Sequence, residues 1–177
     1  MRKYLLHVLI ISFVFILAPT AHVATYAETL QESYERMEKA KAYERMEKEI
    51  NINIMKEEVR KNPEDARAHF KLGFAYHNAK KYAKAILSYK QAIRIDPDDA
   101  SAHYNLGTDY GKSGMYEEAI ESFKQAIRID PDFADAYYGL GIAYELLNDR
   151  DSALEQYEIL KSLDTERAKE LFDYIYE

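Results

Sequence analysis

Four residues of this 177-residue chain have side chains and positions that invite chemistry: His69, His77, His103 and Asp109. His69 and His103 stand at equivalent positions of an internal repeat, and two imidazoles brought together could begin a metal site. Neither histidine has a carboxylate or a third ligand at a suitable spacing. We therefore expect these histidines to pack rather than to bind a metal.

Other reactive centres are excluded or lack a motif. The chain has no cysteine, which rules out disulfides, thiolate zinc sites, iron–sulfur centres and a cysteine nucleophile. It has no glycine-rich phosphate loop, no serine in a glycine elbow and no HExxH sequence. Its net charge of −7 argues against a general nucleic-acid binder. We predict no catalytic residue, no cofactor and no metal, in a protein that is not an enzyme.

Asp109 is the carboxylate whose position stands out. In the repeat alignment it occupies the position that Ala75 and Ala143 hold in the other two units. It is either a strained packing residue or a residue of a binding groove. A buried carboxylate needs a hydrogen-bond partner, so such a partner would decide between the two.

The first 27 residues have the three parts of a secretory signal peptide. A positively charged start is followed by an apolar run over residues 5–18 and then by small residues. Cleavage after Ala27 fits this pattern, with Ala21 and Ala24 as alternatives, and an uncleaved membrane anchor is the other interpretation. Either way we expect the rest of the chain to be exported, periplasmic or secreted, or anchored facing outside the cytoplasm. A lipoprotein is excluded because there is no cysteine to acylate.

A repeat of 34 residues organises the chain after residue 65. The units are 66–99, 100–133 and 134–167, and the first two are identical at 19 of 34 positions. The string KQAIRIDPD occurs at 90–98 and again at 124–132. Each unit contains two helical patterns. Such a unit cannot cover its own apolar face, so the units must stack on one another.

Certain positions recur through the units: His69, Leu72, Gly73, Tyr76, Ala85, Tyr89 and Pro97; His103, Leu106, Gly107, Tyr110, Ala119, Phe123 and Pro131; Tyr137, Leu140, Gly141, Tyr144, Ala153 and Tyr157, with Thr165 in place of the proline. This pattern resembles the tetratricopeptide repeat family. The resemblance implies an all-α fold, a right-handed superhelical solenoid of antiparallel helix pairs with helical caps. Residues 168–177 have apolar residues at helical spacing and are predicted to form the C-terminal capping helix.

Residues 28–65 form a charged helical segment before the repeats. The string YERMEK occurs at 34–39 and again at 43–48, a shift that places the two copies on opposite faces of a helix. We expect a break near Asn51, so that residues 32–65 are a degenerate fourth unit. A coiled coil is the alternative, although the nine-residue shift disfavours a heptad.

The resemblance also implies that the first helix of each unit lines a concave groove that binds a partner. Phe70, Tyr104 and Tyr138 would form an aromatic row there, for an apolar or aromatic-rich peptide or helix, and packing alone is the alternative. A clamp for a C-terminal carboxylate, known in one subfamily, is absent because Phe70 and Phe74 occupy its positions. The predicted groove residues are Phe70, Lys71, Phe74, Tyr104, Asn105, Thr108, Tyr138, Ile142 and Glu145.

Charge varies along the repeats. Residues 66–99 carry seven basic and three acidic groups, residues 100–133 carry three and six, and residues 134–167 carry three and eight. We expect a non-catalytic interaction scaffold of the cell envelope that binds a protein or peptide partner, does not bind nucleic acid, and meets the membrane only through an uncleaved N-terminal segment. The alternatives are a self-associating structural protein and an accessory subunit of an envelope enzyme or assembly complex.

Overall fold

A computed structural model describes residues 20–177, and all regular secondary structure in that part of the chain is helical. The helices are α1 (Thr20–Lys61), α2 (Ala66–Asn78), α3 (Tyr82–Ile95), α4 (Ala100–Lys112), α5 (Tyr116–Ile129), α6 (Ala134–Leu146), α7 (Arg150–Leu163) and α8 (Thr165–Tyr176). The chain divides into two compact units, Met1–Glu47 and Lys48–Glu177. The predicted leader, residues 1–27, lies mostly outside the described residues. None of the helices within residues 20–177 is long and apolar enough to cross a membrane.

Helix α1 is uninterrupted, so the break predicted near Asn51 is wrong. The prediction assumed that each apolar face of a long helix needs a packing partner, yet Tyr43 is 67% exposed. Glu, Lys and Met favour helix without tertiary contacts, and ion pairs one turn apart, such as Lys41 to Glu38 at 3.0 Å, add to it. Residues 32–61 therefore lie in one helix rather than in the two helices of a repeat.

In the second unit, the last turns of α1 supply the first layer of the core. Ile52 is 1% exposed, and Met55 and Val59 are partly buried against the same cluster. Glu58 of α1 forms an ion pair with Lys71 of α2 at 3.2 Å. The end of α1 thus covers the apolar side of α2 that no earlier repeat covers.

Helices α2 to α7 form three pairs, α2 with α3, α4 with α5 and α6 with α7, and each pair is joined by a tight turn. The side chains of Asp65 and Asp99 accept hydrogen bonds from backbone N–H groups in the first turns of α2 and α4. Within the pairs the chain reverses through left-handed residues, at Lys80, Gly114 and Asn148. The first two pairs therefore begin at a side-chain cap, whereas α6 begins after Phe133 without one, and all three pairs contain a sharp internal turn.

Glycine lets the helices of the first two pairs come close together. A methyl carbon added at Gly73 would lie 2.7 Å from the ring of Tyr89, and one added at Gly107 would lie 2.9 Å from the ring of Phe123. Both rings come from the second helix of the same pair. These contacts belong to a continuous core that runs from Ile52 to α6.

Helix α8 begins at Thr165, three residues before the predicted cap over 168–177. The connections after α3 and α5 contain a proline, whereas Asp164 is the single residue between α7 and α8 and caps the new helix. Leu171 of α8 is fully buried, and a methyl carbon added at Gly141 would lie 2.5 Å from it. In the third pair, the side chain that packs against the glycine of the first helix therefore comes from α8. In the first two pairs it comes from the second helix of the same pair.

Candidate functional site

The first helices of the three pairs, α2, α4 and α6, contact one another in order. They form one surface, called here the first-helix face, and the residues predicted for the groove belong to these helices. Lys71 and Phe74 are exposed. The remaining predicted residues are partly buried: Phe70, Tyr104, Asn105, Thr108, Tyr138, Ile142 and Glu145.

At the α2 end of the first-helix face, one aromatic ring is packed in the core and another is exposed. The ring of Phe70 lies 5.6 Å from that of Tyr89 and belongs to the core packing. Phe74 is 48% exposed, and its ring lies nearly parallel to that of His77 at 6.3 Å. Phe74 is therefore the apolar group that this end of the face offers to a partner.

Tyr104, in the middle of the row, is part of a packed aromatic cluster. Its ring lies 5.8 Å from Phe123 and 5.0 Å from Phe133. Burial raises the pKa of the Tyr104 hydroxyl, and the nearby charge of Asp135 acts in the same direction. Most of the surface of Tyr104 is thus used to join α4 to its neighbours.

Tyr138, at the α6 end, lies beneath a cation from the capping helix. The guanidinium of Arg167 lies 5.3 Å from the ring centroid and forms ion pairs with Asp135 at 2.6 Å and with Glu170 at 3.2 Å. The sequence reasoning missed Arg167. The available signal was Thr165, which stands where the first two units have a proline. Because there is no proline at this position, α8 begins at Thr165 and Arg167 lies in its first turn.

The polar residues of the predicted groove already have partners. Lys71 is paired with a carboxylate of α1, and Glu145 with Arg150 at 3.0 Å. The side chains of Asn105 and Thr108 donate hydrogen bonds to backbone carbonyls one turn earlier in α4. A ligand on this face would have to compete with these bonds or bind beside them.

Asp109 lies buried beneath the first-helix face and is bonded to a residue on it. It is 0% exposed, and its Oδ1 lies 2.6 Å from Nδ1 of His77, which is 27% exposed. Oδ2 has no hydrogen-bond partner within the described part of the chain, and neither does the buried hydroxyl of Tyr89. Burial raises the pKa of Asp109, while the hydrogen bond from His77 opposes that shift. The pair joins the first repeat to the second.

His69 and His103 make equivalent hydrogen bonds in the first two repeats. Nε2 of His69 lies 2.8 Å from the carbonyl oxygen of Pro63, and Nε2 of His103 lies 3.0 Å from that of Pro97. Each imidazole thus fastens its helix to the preceding loop. Among residues 20–177, no group of three or more His, Asp or Glu side chains is arranged to hold a metal.

Comparison with known proteins finds the same architecture. A family model described as a TPR repeat matches residues 76–114 and 107–148, and one described as a tetratricopeptide repeat matches residues 135–164. Two crystal structures of MamA are 30% and 31% identical to this chain, with TM-scores of 0.60 and 0.62. They cover 70% and 67% of this chain, which covers 67% and 64% of theirs. No curated protein sequence matches the chain.

A more distant structure shows the fold alone. The TPR domain of Arabidopsis OM64 is 22% identical, with a TM-score of 0.61, and the match covers 64% of this chain and 95% of that domain. The helix pairs of the second unit are therefore an architecture shared across divergent sequences.

Proposed function

Because this chain belongs to the tetratricopeptide repeat family, we propose that it is an exported, non-catalytic scaffold that holds a protein or peptide partner on its first-helix face. Tetratricopeptide repeats are in general protein-interaction modules, and the second unit is an all-α solenoid of that type. The fold alone does not determine which partner binds, so the binding surface is identified from its exposed residues.

The observation that carries the proposal is the exposure of Phe74 on the first-helix face. Phe74 is 48% exposed at a position that leaves it free of the core, and Ile142 lies partly exposed on α6 of the same face. Aromatic side chains in such settings supply much of the binding energy of interfaces. The other predicted aromatic residues support the face from below.

Site-specific photocrosslinking tests this use of the face. A photoreactive phenylalanine analogue at Phe74 is expected to crosslink a partner in cells, whereas the same analogue at Leu87 is not. Leu87 is the matched control because it is 65% exposed in the same repeat but on the second helix, α3. Equal crosslinking at both positions, or none at Phe74, would contradict the proposal.

Export is a separate part of the proposal and rests on the leader-like sequence of residues 1–27. Cell fractionation should find the protein outside the cytoplasm, and mass spectrometry of its N-terminus should find cleavage near Ala27. A cytoplasmic protein that starts at Met1 would overturn this part. The binding face would be unaffected by that result.

Head-to-tail self-association is a second candidate, favoured by the charge gradient along the repeats. Residues 66–99 carry seven basic and three acidic groups, and residues 134–167 carry three and eight. Opposite ends of two copies would attract each other at low ionic strength. Light scattering should then show a mass that grows with concentration and falls with added salt. A constant monomer mass would exclude this candidate.

A further inference from the structure

The last turns of α1, residues 48–61, occupy the place of a second helix in the repeat. Ile52 aligns with Ile86 of α3, and both are buried against the same core. The carbonyl oxygen of Pro63, just after α1, lies 2.8 Å from a histidine of the next helix. That of Pro97, just after α3, lies 3.0 Å from the equivalent histidine. Residues 48–61 therefore pack on α2 as α3 packs on α4.

A second helix of a complete pair also packs against the first helix of its own pair, and within residues 20–177 α1 has no such helix. In α3, Ala85 is 0% exposed and Ser88 is 7% exposed. The residues at these positions of α1 are Asn51 and Ile54, which are both exposed, Ile54 by 52%. Because α2 is already in place beside α1, the contact that α1 lacks is that of a first helix.

Helix α8 is the converse, a first helix with no second helix after it in the described part of the chain. It contacts both helices of the third pair, α6 and α7. Its Phe172 is 41% exposed and its Tyr176 is 58% exposed. The ring of Phe172 lies 5.4 Å from that of Tyr157 and 4.6 Å from that of Tyr176. These three rings are called here the terminal aromatic cluster.

The terminal aromatic cluster is unusual for the end of a solenoid, where the outer face of the capping repeat is ordinarily polar. Tyr157 has the same position in its repeat as Tyr89 and Phe123, which are buried. Tyr157 itself is only partly buried. The cluster is therefore an apolar surface that a further helix would cover.

We propose that a second copy of this chain supplies that helix, so that α8 of one copy and the end of α1 of the next form a helix pair. This inference rests on the proposed head-to-tail self-association and names its two surfaces. Both surfaces belong to the second unit, Lys48–Glu177. Because the two surfaces differ, each copy can bind one neighbour at each end, and the assembly is open-ended.

The two surfaces match in spacing when the helices run antiparallel, as they do within the pairs of the repeat. Phe172 and Tyr176 are about one turn apart on α8, and so are Ile50 and Ile54 on α1. Phe172 then meets Ile54, and Tyr176 meets Ile50. Both isoleucines are 52% exposed and line a groove on α1. The aromatic rings of one copy therefore have an apolar groove to enter on the next.

The same register brings opposite charges together. Lys169 stands three residues before Phe172, is exposed, and forms no ion pair within residues 20–177. Glu57 stands three residues after Ile54 and lines the same groove, so it lies opposite Lys169. Arg60 bonds Oε2 of Glu57 at 2.8 Å, which leaves Oε1 to accept a bond from Lys169. This charge complementarity favours a second copy over an unrelated apolar partner.

Disulfide trapping tests the register, and the lack of native cysteine means that only introduced thiols can react. Purified Ile54→Cys and Phe172→Cys proteins are mixed and treated with a mild oxidant. Leu87→Cys replaces I54C in the control, because Leu87 is 65% exposed on a second helix whose own first helix is present. We expect the I54C–F172C product to exceed the L87C–F172C product by about fivefold or more, since a disulfide needs Cβ atoms within about 4.5 Å. Electrophoresis without reductant measures both products.

Sedimentation velocity of surface variants tests the contacts themselves. Ile54→Asp should weaken association by about tenfold, because it places a charge against the aromatic rings. Leu87→Asp is the matched control and should leave association unchanged. Lys169→Glu should weaken association by about threefold, and adding Glu57→Lys in the same chain should restore it. The circular dichroism spectrum of each variant should stay that of the wild type, because all of these side chains are exposed.

The outcomes distinguish this inference from head-to-tail self-association in general. If the protein associates but I54D and the charge exchange have no effect, the inference is overturned and self-association through other surfaces stands. Equal crosslinking of F172C to I54C and to L87C, or crosslinking of F172C only to itself, would also overturn it. A monomer at every concentration, with no crosslinking above the control, would overturn both.

Discussion

The two junctions between repeats differ in chemistry although the helices around them match. The first junction joins residues 66–99 to 100–133, and the second joins 100–133 to 134–167. At the first, His77 and Asp109 form a buried polar contact. At the second, the corresponding positions hold Gly111 and Ala143, which form no such bond.

The contrast extends to the aromatic residue that fills each junction. Tyr89, at the first, has a buried hydroxyl without a hydrogen-bond partner. Phe123, at the second, has no hydroxyl, and a methyl carbon added at Gly139 of the next repeat would lie 2.7 Å from its Cζ. The first junction is polar and contains buried atoms that lack a hydrogen-bond partner, whereas the second is apolar and tightly packed. The first is the one suited to carry function, since it spends stability on polar groups that packing does not require.

The largest effect is expected from tightening the second junction further. Gly139→Ala should destabilise the protein by about 2–3 kcal/mol, because the new methyl overlaps the buried ring of Phe123. Gly111→Ala is the matched control, since nothing lies within 4 Å of the added carbon. That change should stabilise α4 by about 0.5–1 kcal/mol. Urea unfolding measures the change in the free energy of unfolding for both variants. Changes of the same sign would contradict this description of the junction.

Exchanging the aromatic residues of the junctions should give opposite results. Phe123→Tyr places a hydroxyl on the atom that faces Gly139 and should cost about 2 kcal/mol. Tyr89→Phe removes a buried hydroxyl that has no partner and should gain about 1 kcal/mol. Thermal unfolding of the two variants tests the contrast. A loss of stability in Y89F would mean that the hydroxyl is satisfied.

Asp109→Ala makes the first junction resemble the second and should change stability with pH. Burial raises the folded pKa of Asp109 above its unfolded value despite the bond from His77. Such a group is favoured in its protonated form, so its ionisation costs stability above the folded pKa. D109A should be more stable than wild type by about 1 kcal/mol at neutral pH, and the difference should shrink as the pH falls through that pKa. A less stable D109A at neutral pH would refute this.

The smallest effects are expected where the two repeats do not differ. His69 and His103 make the same bond to a loop carbonyl, at 2.8 and 3.0 Å. Their alanine variants should each lose about 0.5–1 kcal/mol, and the losses should be similar. Chemical denaturation measures the loss of stability in each variant. Unequal losses would contradict this expectation and would show that the difference between the junctions extends to these loop contacts.

Much of the fold could be predicted because repetition makes the sequence redundant. Recurring Leu-Gly pairs, alanines and Asp-Pro sequences mark the helices and turns of the first two pairs, and the structure has helices there. The continuous α1 could not be predicted in this way, since its apolar residues suggest buried faces that it leaves exposed. The early start of α8 was also difficult to predict, because its signal is a single residue, Thr165 in the place of a proline.

The candidate site was less predictable than the fold. The resemblance to the tetratricopeptide repeat family assigned Phe74 and Tyr104 to one face, yet it could not say that Phe74 is exposed while Tyr104 is packed between two rings. Exposure depends on neighbours that come from other helices. The same is true of Arg167, which reaches the face from the capping helix.

The sequence by itself determined the repeat, the helical class and the absence of cysteine chemistry, because these follow from local pattern and composition. It also singled out Asp109 as the carboxylate in an alanine position. Only the tertiary structure decided that Asp109 is bonded to His77, since the two residues belong to different repeats and meet through stacking. Which residues are exposed, and which polar groups lack a partner, are likewise properties of the packed solenoid, because burial is set by contacts between helices distant in sequence.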